Sequence, residues 1–325
     1  MLLLLLAQLL DLSLLSLAFS SSTSLLFFFM LIQKNDILCK LVLREPEERV
    51  RFIIEHITQF YDEFKRYKTD KFGNKRKNKP QYVSRYGEYW SRIINPPKPE
   101  LKTIQKRINA YLVEHIQMPS YAFGGVKGKD NIQNARFHKG QKFVFQSDLK
   151  DFFPFITNKM VYVMFVENGF SPDVASILTK LTTFKRHLPQ GAPTSTTIAN
   201  LVFKPVGNEI QSIAEREGLR FTTFVDDVTI SSQQDFKDVV PDIIETIQPE
   251  IPRGFKVSHG KTSYKSGITE ITGVKMLNNS MTITDKLKAK IEAEGEEHTP
   301  RVKGMRNYAN RVMRISKGKL NVRKG

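Results

Sequence analysis

Apolar residues return at helical spacing in two stretches of the N-terminal half. In the first stretch, residues 45–67, the apolar positions are Val50, Ile53, Ile54, Ile57, Phe60, Tyr61 and Phe64. Steps of three and four place such residues on one face of a helix, and Pro46 suits the first turn. Residues 100–116 show the same period. The pattern therefore predicts two amphipathic helices, over 45–67 and 100–116.

Two later stretches have the residue types of strands. Residues 142–148 and 221–231 are rich in β-branched and aromatic residues, which are typical of strands. Asp226 and Asp227 interrupt the second stretch. We therefore expect a hairpin with an acidic pair at its tip, and residues 269–284 predict further strands.

Helix signals flank these strands. Ser171 and Pro172 have the residue types of an N-cap and a first helical position. Residues 196–217 predict a long helix that is kinked or interrupted at Pro205, and Gly218 follows as a C-terminal stop. Residues 235–247 predict another helix.

The first 33 residues hold fourteen leucines and a single charge. A membrane span needs about 20 predominantly apolar residues, and the Ser/Thr cluster at 20–24 breaks this run. No basic residue precedes the run, unlike in a secretory signal. We expect residues 1–29 to come from an upstream start and the working protein to begin near Met30. A membrane anchor is the alternative.

Charge changes the picture, because 50 Lys and Arg against 33 Asp and Glu give a formal net charge of +17. Such a surplus indicates a polyanionic partner, either nucleic acid or an acidic membrane surface. Residues 65–79 carry eight of the basic residues, as a solvated loop or a phosphate-contacting one, and residues 301–325 carry nine and no acid. Cys39 is the single cysteine, which excludes an intramolecular disulfide framework and a multi-cysteine zinc site.

Three aspartates are the candidate chemistry. Asp148 ends a predicted strand, and Asp226 and Asp227 lie between two others. Adjacent carboxylates repel by about 4 kcal/mol at 4 Å and an effective dielectric near 20, so a compensating cation is expected. Mg²⁺ binds carboxylates together with phosphate oxygens, and two ions can activate a hydroxyl and stabilise a leaving pyrophosphate. An exposed turn that happens to hold two aspartates is the alternative.

The order and spacing of several motifs resemble those of reverse transcriptases, and most of all those of bacterial retrons. The palm motifs correspond to Asp148-Leu-Lys-Asp-Phe-Phe-Pro154, Gln190-Gly-Ala-Pro-Thr-Ser195 and Phe224-Val-Asp-Asp227. The retron signatures correspond to Asn134-Ala-Arg-Phe-His138 and Ile271-Thr-Gly273, and a finger segment to Arg92-Ile-Ile-Asn-Pro-Pro97. The resemblance covers about residues 85–320.

The resemblance implies a role for each matching residue. Asp148, Asp226 and Asp227 would be catalytic and hold two Mg²⁺ ions, with Asp227 the most peripheral. The residues implied to bind nucleotide are Arg92 at the triphosphate, Phe153 as a gate against the 2′-hydroxyl, Gln190 at the incoming nucleotide, and Lys261 near the pyrophosphate. Those implied to contact the cognate RNA are Asn134, His138, Thr272 and Gly273, with a buried, hydrogen-bonded His138 as the alternative.

The implied fold is α+β, a right-hand polymerase with fingers, a palm built on a small antiparallel sheet, and a thumb. We expect residues 1–42 to be a hydrophobic extension, 43–284 the fingers and palm, and 285–325 a basic thumb on the template–primer duplex. The motifs depart from the family at Phe224-Val225, where it has Tyr-Ala, at Thr196, where it has proline, and at Ser258, where it has asparagine.

The implied function is RNA-directed DNA synthesis in the cytoplasm. The partners would be a cognate noncoding RNA and its RNA–DNA product, dNTPs, host RNase H and a defence effector protein. Another defence-associated or group II intron-like reverse transcriptase is an alternative, as is a catalytically idle RNA-binding scaffold. A membrane-surface protein is the third class, resting on the leucine-rich start and the positive charge.

Overall fold

The computed structural model describes residues 33–70, 74–78, 88–249, 254–294 and 299–318. The labelled helices are α1 Glu47–Glu55, α2 Pro99–His115, α3 Asn131–Phe137, α4 Asn158–Glu167, α5 Pro172–Thr182, α6 Ser195–Arg216, α7 Val240–Ile247, α8 Asp285–Ala293 and α9 Pro300–Lys317. The strands are β1 Phe64–Tyr67, β2 Ser91–Ile94, β3 Phe143–Asp148, β4 Arg220–Phe224, β5 Asp227–Ser232, β6 Ser263–Ser266, β7 Thr269–Ile271, β8 Val274–Leu277 and β9 Ser280–Ile283. Helices and antiparallel sheets together confirm the α+β class of the right-hand polymerase fold.

The helix predicted over 45–67 is wrong in its second half. Helix α1 ends at Glu55, a 3-10 turn covers Ile57–Phe60, and β1 then pairs antiparallel with β2. Phe64 lies opposite Ile94 in that pair. Its apolar side chain therefore follows the alternation of a ribbon, although its spacing from Phe60 also fits a helix.

The other predicted helices are present, with two corrections. The helix predicted over 235–247 begins only at Val240, after a 3-10 turn over Lys237–Val239. Helix α2 covers the predicted stretch 100–116, and the Ser171 hydroxyl caps α5 by accepting from the Val174 N–H. Helix α6 runs unbroken through Pro205, so the expected interruption is wrong. Gly218 follows α6 at a φ of +65°, as a C-terminal stop requires.

A four-stranded antiparallel sheet in the order β4-β5-β3-β6 forms the centre of the fold. The predicted hairpin is β4–β5, and β3 pairs with β5 along its whole length. The main hydrophobic core covers one face of this sheet and extends through α2, α4, α5 and α6. Phe145 and Ile230, which face each other across β3 and β5, are both almost fully buried in it.

A second, smaller core joins the C-terminal elements. The antiparallel meander β7-β8-β9 packs with α3 and α9 around Ile132, Ile271, Val274 and Val312. The strands predicted over 269–284 are these three. Because Val312 packs there, α9 shares this core with the meander that precedes it.

The described part of the N-terminal extension belongs to the main core. A short helical turn, Asn35–Ile37, continues as a π-helix over Leu38–Leu43, and Leu38 and Leu43 are both 0% exposed. The expectation for residues 1–29 lies outside the described residues. Among the helices that the structure describes, none has the length and apolarity needed to cross a membrane.

Candidate active site

The acidic residues meet at one end of the four-stranded sheet β4-β5-β3-β6, which we call the palm sheet. Asp148 is the last residue of β3, Asp227 is the first of β5, and the two are partners in the antiparallel register. Their side chains therefore leave the same face of the sheet. The Leu149 N–H donates to the Asp226 carbonyl at 2.8 Å, which ties the chain after Asp148 to the acidic turn.

The acidic turn has a strained backbone. Phe224 pairs with Asp227, so Val225 and Asp226 alone make the hairpin turn. Two-residue hairpin turns need a positive φ at a central position, and Val225 supplies it at +60°. A β-branched residue rarely adopts that conformation, so the surrounding contacts must hold it.

Burial and like charge both disfavour the charged forms of Asp226 and Asp227. Desolvation raises the pKa of the Asp226 carboxyl, and the charge of Asp148 adds to this, while Arg92 and Lys261 act in the opposite direction. Asp227 keeps exposed surface, yet desolvation, together with the charges of Asp226 and Asp148, raises its pKa to about 6. An additional cation would relieve this repulsion.

Lys261 forms an ion pair with Asp148 through its Nζ. A 3-10 turn over His259–Lys261 presents this lysine, and the N–H of Ser258 fixes the turn by donating to the Asp148 carbonyl at 2.7 Å. The structure thus brings Lys261 to the acidic cluster.

Lys68 is a site residue that the sequence did not single out. Its pKa is lowered by desolvation and by the charges of Arg92 and Lys261, while Asp148 raises it. Its Nζ lies 4.1 Å from the centre of the Trp90 ring. The sequence does not distinguish Lys68 from its neighbours, because it is one of eight basic residues within 65–79.

The Gln190 loop packs directly on the finger segment that carries Arg92. The Asn95 N–H donates to the Gln190 carbonyl at 2.8 Å. Gly191 has a φ of +105°, and a Cβ there would lie 3.0 Å from the Ile94 side chain. The structure therefore brings the Gln190 loop and the Arg92 strand together.

Phe153 sits in a short helix, Phe152–Phe155, that begins directly after Asp151. Asp151 has a φ of +51°, and the Phe152 ring is buried in the main core, 5.5 Å from that of Phe255. Phe153 itself is half-buried, and its ring centre is 5.8 Å from that of Phe152. The packing of Phe152 in the core therefore fixes the short helix that carries Phe153, five residues after Asp148 in the chain.

His138 does not face the solvent, and the RNA contact expected of it stays a prediction. It is 1% exposed, and its Nδ1 and Nε2 bond to the hydroxyls of Ser231 at 2.6 Å and Thr222 at 2.7 Å. Burial lowers its pKa to about 3, so the ring is neutral. A neutral ring donates at one nitrogen and accepts at the other, and a hydroxyl can serve either. His138 therefore joins α3 to the palm sheet, which was the alternative reading.

Asn134 is buried as well, at 1% exposure, and the RNA contact expected of it also stays a prediction. Its Nδ2 donates to the Thr272 hydroxyl at 3.3 Å. Asn131, which the sequence did not single out, donates to the Thr272 carbonyl at 3.0 Å and to the Tyr308 hydroxyl at 2.7 Å. These amides link α3, the meander and α9.

Thr272 and Gly273 form the turn between β7 and β8, at φ values of +45° and +81°. Thr272 is half-buried through its bonds to α3, whereas Gly273 is exposed and a Cβ there would meet nothing within 4 Å. Of the four residues expected to contact RNA, Gly273 presents the most open surface. Asn134, His138 and Thr272 position the structure beneath it.

The donor chemistry fits a divalent ion, although the side chains are not gathered around one. Within the described residues, no group of three His, Cys, Asp and Glu side chains is placed to hold a metal ion. The Lys261 ammonium balances Asp148 instead. Carboxylate oxygens are the ligands that Mg²⁺ prefers, and a bound cation would favour the charged forms that burial and like charge disfavour at Asp226 and Asp227.

Comparison with known proteins agrees with this geometry. The family described as reverse transcriptase (RNA-dependent DNA polymerase) matches residues 86–277. The retron Ec86 reverse transcriptase of Escherichia coli is 34% identical over 173 residues, which cover 53% of each chain. The retron Se72 reverse transcriptase of Salmonella heidelberg (strain 579083-10) is 39% identical over 145 residues, covering 44% of this chain and 38% of that one.

A third relative is the retron Mx65 reverse transcriptase of Myxococcus xanthus, 31% identical over 208 residues, which cover 56% of this chain and 47% of the relative. The chain thus spans about half the length, or less, of each of these relatives. Among solved structures, telomerase from Candida albicans aligns with 82% of this chain and 59% of its own, at 10% identity and a TM-score of 0.45. The relatives confirm the resemblance to bacterial retron enzymes that the motifs indicated.

Proposed function

Because this chain belongs to the reverse transcriptase family, we propose that it is an RNA-directed DNA polymerase of the retron type. It would copy a cognate noncoding RNA into DNA by transferring nucleotides from dNTPs to a primer hydroxyl. The placement of Asp148 opposite Asp227, with Asp226 in the adjoining turn, is the observation that carries this proposal.

The three aspartates would hold two Mg²⁺ ions. Bound there, the ions would supply a Lewis acid for the primer hydroxyl and for the leaving pyrophosphate. The chain itself would provide the oxygen ligands from the paired strand ends at Asp148 and Asp227 and from the turn at Asp226, and the Leu149 N–H bond to the Asp226 carbonyl ties that turn to the chain after Asp148. Lys261 would leave Asp148 and turn to the phosphates as the ions bind.

Cationic side chains would bind the triphosphate. Arg92 offers a planar fork of donors that matches phosphate oxygens, and Lys68 and Lys261 add point charges. The three charges are close enough for Arg92 and Lys261 to lower the pKa of Lys68. Such a concentration of charge beside carboxylates suits a ligand that brings negative phosphates together with metal ions.

The base and sugar of the nucleotide would meet Gln190 and Phe153. The Gln190 loop is bonded to the finger segment at Asn95, so it would move together with Arg92. Phe153 is held by the turn after Asp148 and would exclude a 2′-hydroxyl by its bulk.

The template would be a structured RNA encoded with the protein, and synthesis would start from one of its 2′-hydroxyls. Gly273 and the basic face of α9 are the described surfaces suited to that RNA and its RNA–DNA product. Host RNase H would remove the copied template, and a partner effector would use the product in defence against phage. These partners are inferred from the resemblance to retron enzymes.

An isosteric substitution tests the site. Asp226→Asn should reduce dNTP incorporation on an RNA template with an annealed primer by at least about a hundredfold, in line with the loss of one electrostatic element of an active site. Asp242→Asn, on the exposed side of α7, removes the same charge elsewhere and should leave the rate unchanged. Equal rates for Asp226→Asn and wild type would reject the assignment. Wild-type protein that binds RNA but incorporates no dNTP would identify an idle scaffold.

A further inference from the structure

A short segment runs beside the acidic turn. We call residues Tyr121–Gly125 the wedge segment. The Thr223 N–H donates to the Tyr121 carbonyl at 2.8 Å, and the Phe123 N–H donates to the Thr223 carbonyl at 2.8 Å. The wedge segment thus extends the palm sheet beyond its edge strand β4, and it continues toward the turn that begins after Phe224.

Helix α6 holds the wedge segment from behind. The buried Asn200 amide donates to the Gly124 carbonyl at 2.9 Å. The Tyr121 hydroxyl lies 3.1 Å from the Lys204 carbonyl and 3.0 Å from Asn208 Oδ1. A Cβ at Gly207 would lie 2.4 Å from the Tyr121 hydroxyl, so the ring fits closely against the helix. The segment therefore cannot retreat from the turn without disturbing α6.

Gly124 is the point at which the wedge segment meets the acidic turn. A Cβ there would lie 2.4 Å from the Val225 nitrogen, 2.6 Å from Val225 Cγ2 and 2.8 Å from the Phe224 carbonyl carbon. Two of these atoms belong to the backbone and cannot rotate away. Gly124 has no positive φ of its own, so the closeness of this contact, rather than its own conformation, requires glycine.

The contact falls on the most strained residue of the turn. Val225 has a φ of +60°, a conformation that a β-branched residue keeps only when its surroundings impose it. Asp226 and Asp227 follow it directly in the chain. A shift of the Val225 backbone would therefore move both carboxylates.

We propose that Gly124 is a positioning residue for the acidic turn. Its backbone is fixed to α6 and packs directly against Val225, and this contact determines the positions of Asp226 and Asp227. The inference rests on the proposed polymerase function. It assigns the positioning of the acidic turn to the wedge segment, which lies outside the three palm motifs.

Gly124→Ala is the direct test, because the added methyl must displace the turn, the wedge segment or both. The rate of single-nucleotide incorporation and the dNTP KM would be measured on an RNA template with an annealed DNA primer. Fluorescence anisotropy would give the affinity for the same duplex, and thermal unfolding the Tm. Gly218→Asn is the control: a side chain there meets nothing within 4 Å, and asparagine tolerates its positive φ.

We expect Gly124→Ala to lower kcat by about tenfold or more, since small misplacements of catalytic groups have effects of that order. The dNTP KM and the duplex affinity should stay close to those of wild type, while the Tm should fall by several degrees because the methyl overpacks a tight contact. Gly218→Asn should keep wild-type kcat. An unchanged kcat overturns the proposal. A parallel fall in kcat, duplex affinity and Tm also overturns it, because it indicates a general packing role.

A second variant decides the matter if Gly124→Ala does not fold. Tyr121→Phe keeps the ring and removes only the hydroxyl, which makes one of the contacts between the wedge segment and α6. It should lower kcat about threefold without weakening duplex binding, and an unchanged kcat overturns the proposal. Absence of incorporation by the wild-type protein would instead contradict the proposed function, and the inference would fail with it.

Discussion

Asp148 and Asp227 are direct partners across β3 and β5, the last residue of one strand facing the first residue of the other. Residues 79 positions apart in the chain are thus brought together by backbone pairing alone. The hairpin turn adds Asp226 beside them. Because the register of the sheet fixes the pair, the crowding of negative charge is a property of the fold and should be measurable without any ligand.

The first prediction concerns the charge of Asp227 in metal-free protein. Its folded pKa of about 6 lies above the ordinary aspartate value of 3.8, so folding disfavours its charged form. This cost is fully present above about pH 6 and vanishes as the pH falls below about 4. Asp227→Asn should therefore raise the Tm in EDTA at pH 7.5 and raise it less at pH 4.5.

Asp242→Asn serves as the control for that experiment, because it removes an exposed charge outside the cluster. An equal Tm gain at both pH values, or a loss at pH 7.5, would show that Asp227 is not under repulsion. Dilute Mg²⁺ should reduce the gain, since a bound ion relieves the same repulsion in the wild-type protein.

The second prediction concerns the neutral ring of His138. Its pKa falls from the ordinary histidine value of 6.5 to about 3 on folding, so the unfolded chain takes up a proton that the folded chain excludes. The free energy of unfolding should therefore not depend on His138 titration above about pH 6.5, and it should fall as the pH is lowered from there toward 3. Urea unfolding of the wild type should show this decline between pH 7 and pH 5.

His138→Phe should remove that part of the pH dependence. It also leaves the buried Ser231 and Thr222 hydroxyls without this partner, at a cost of about 1–3 kcal/mol at pH 7.5. RNA affinity of the folded variant should stay at the wild-type value. A selective loss of RNA binding with unchanged stability would instead support the RNA contact expected of His138.

The sequence predicted the acidic cluster better than its surroundings. Strand and turn signals around Asp148 and Asp226 are local, so the strands and the hairpin could be predicted from them, whereas the placement of Asp148 beside that hairpin came from the resemblance to reverse transcriptases. Burial of His138 depends on Thr222 and Ser231, which lie on strands distant in sequence, and a motif carries no such information. Phe64 shows the same limit, because its spacing fits a helix until the pairing with Ile94 selects a strand.

The third prediction separates the cations of the site from cations elsewhere. Lys68→Met and Lys261→Met should each lower kcat/KM for dNTP by about tenfold, the order expected for one charge-assisted contact to phosphate. Lys180→Met, at an exposed position on α5, should not lower it. Steady-state single-nucleotide incorporation measures all three, and equal effects at the three positions would mean that only net charge matters.

The last prediction concerns the attachment of α9 to the meander. The buried Ser316 hydroxyl accepts a hydrogen bond from the Met281 N–H at 2.7 Å, and Val312 packs in the same core. Ser316→Ala leaves that N–H buried without its acceptor, which should cost about 1–3 kcal/mol. Since the loss falls on one contact between α9 and β9, hydrogen exchange should quicken in these two elements and stay unchanged in β3 and β5. Ser212→Ala, on the exposed side of α6, is the matched control, and faster exchange throughout the palm would show that α9 is not a separately opening unit.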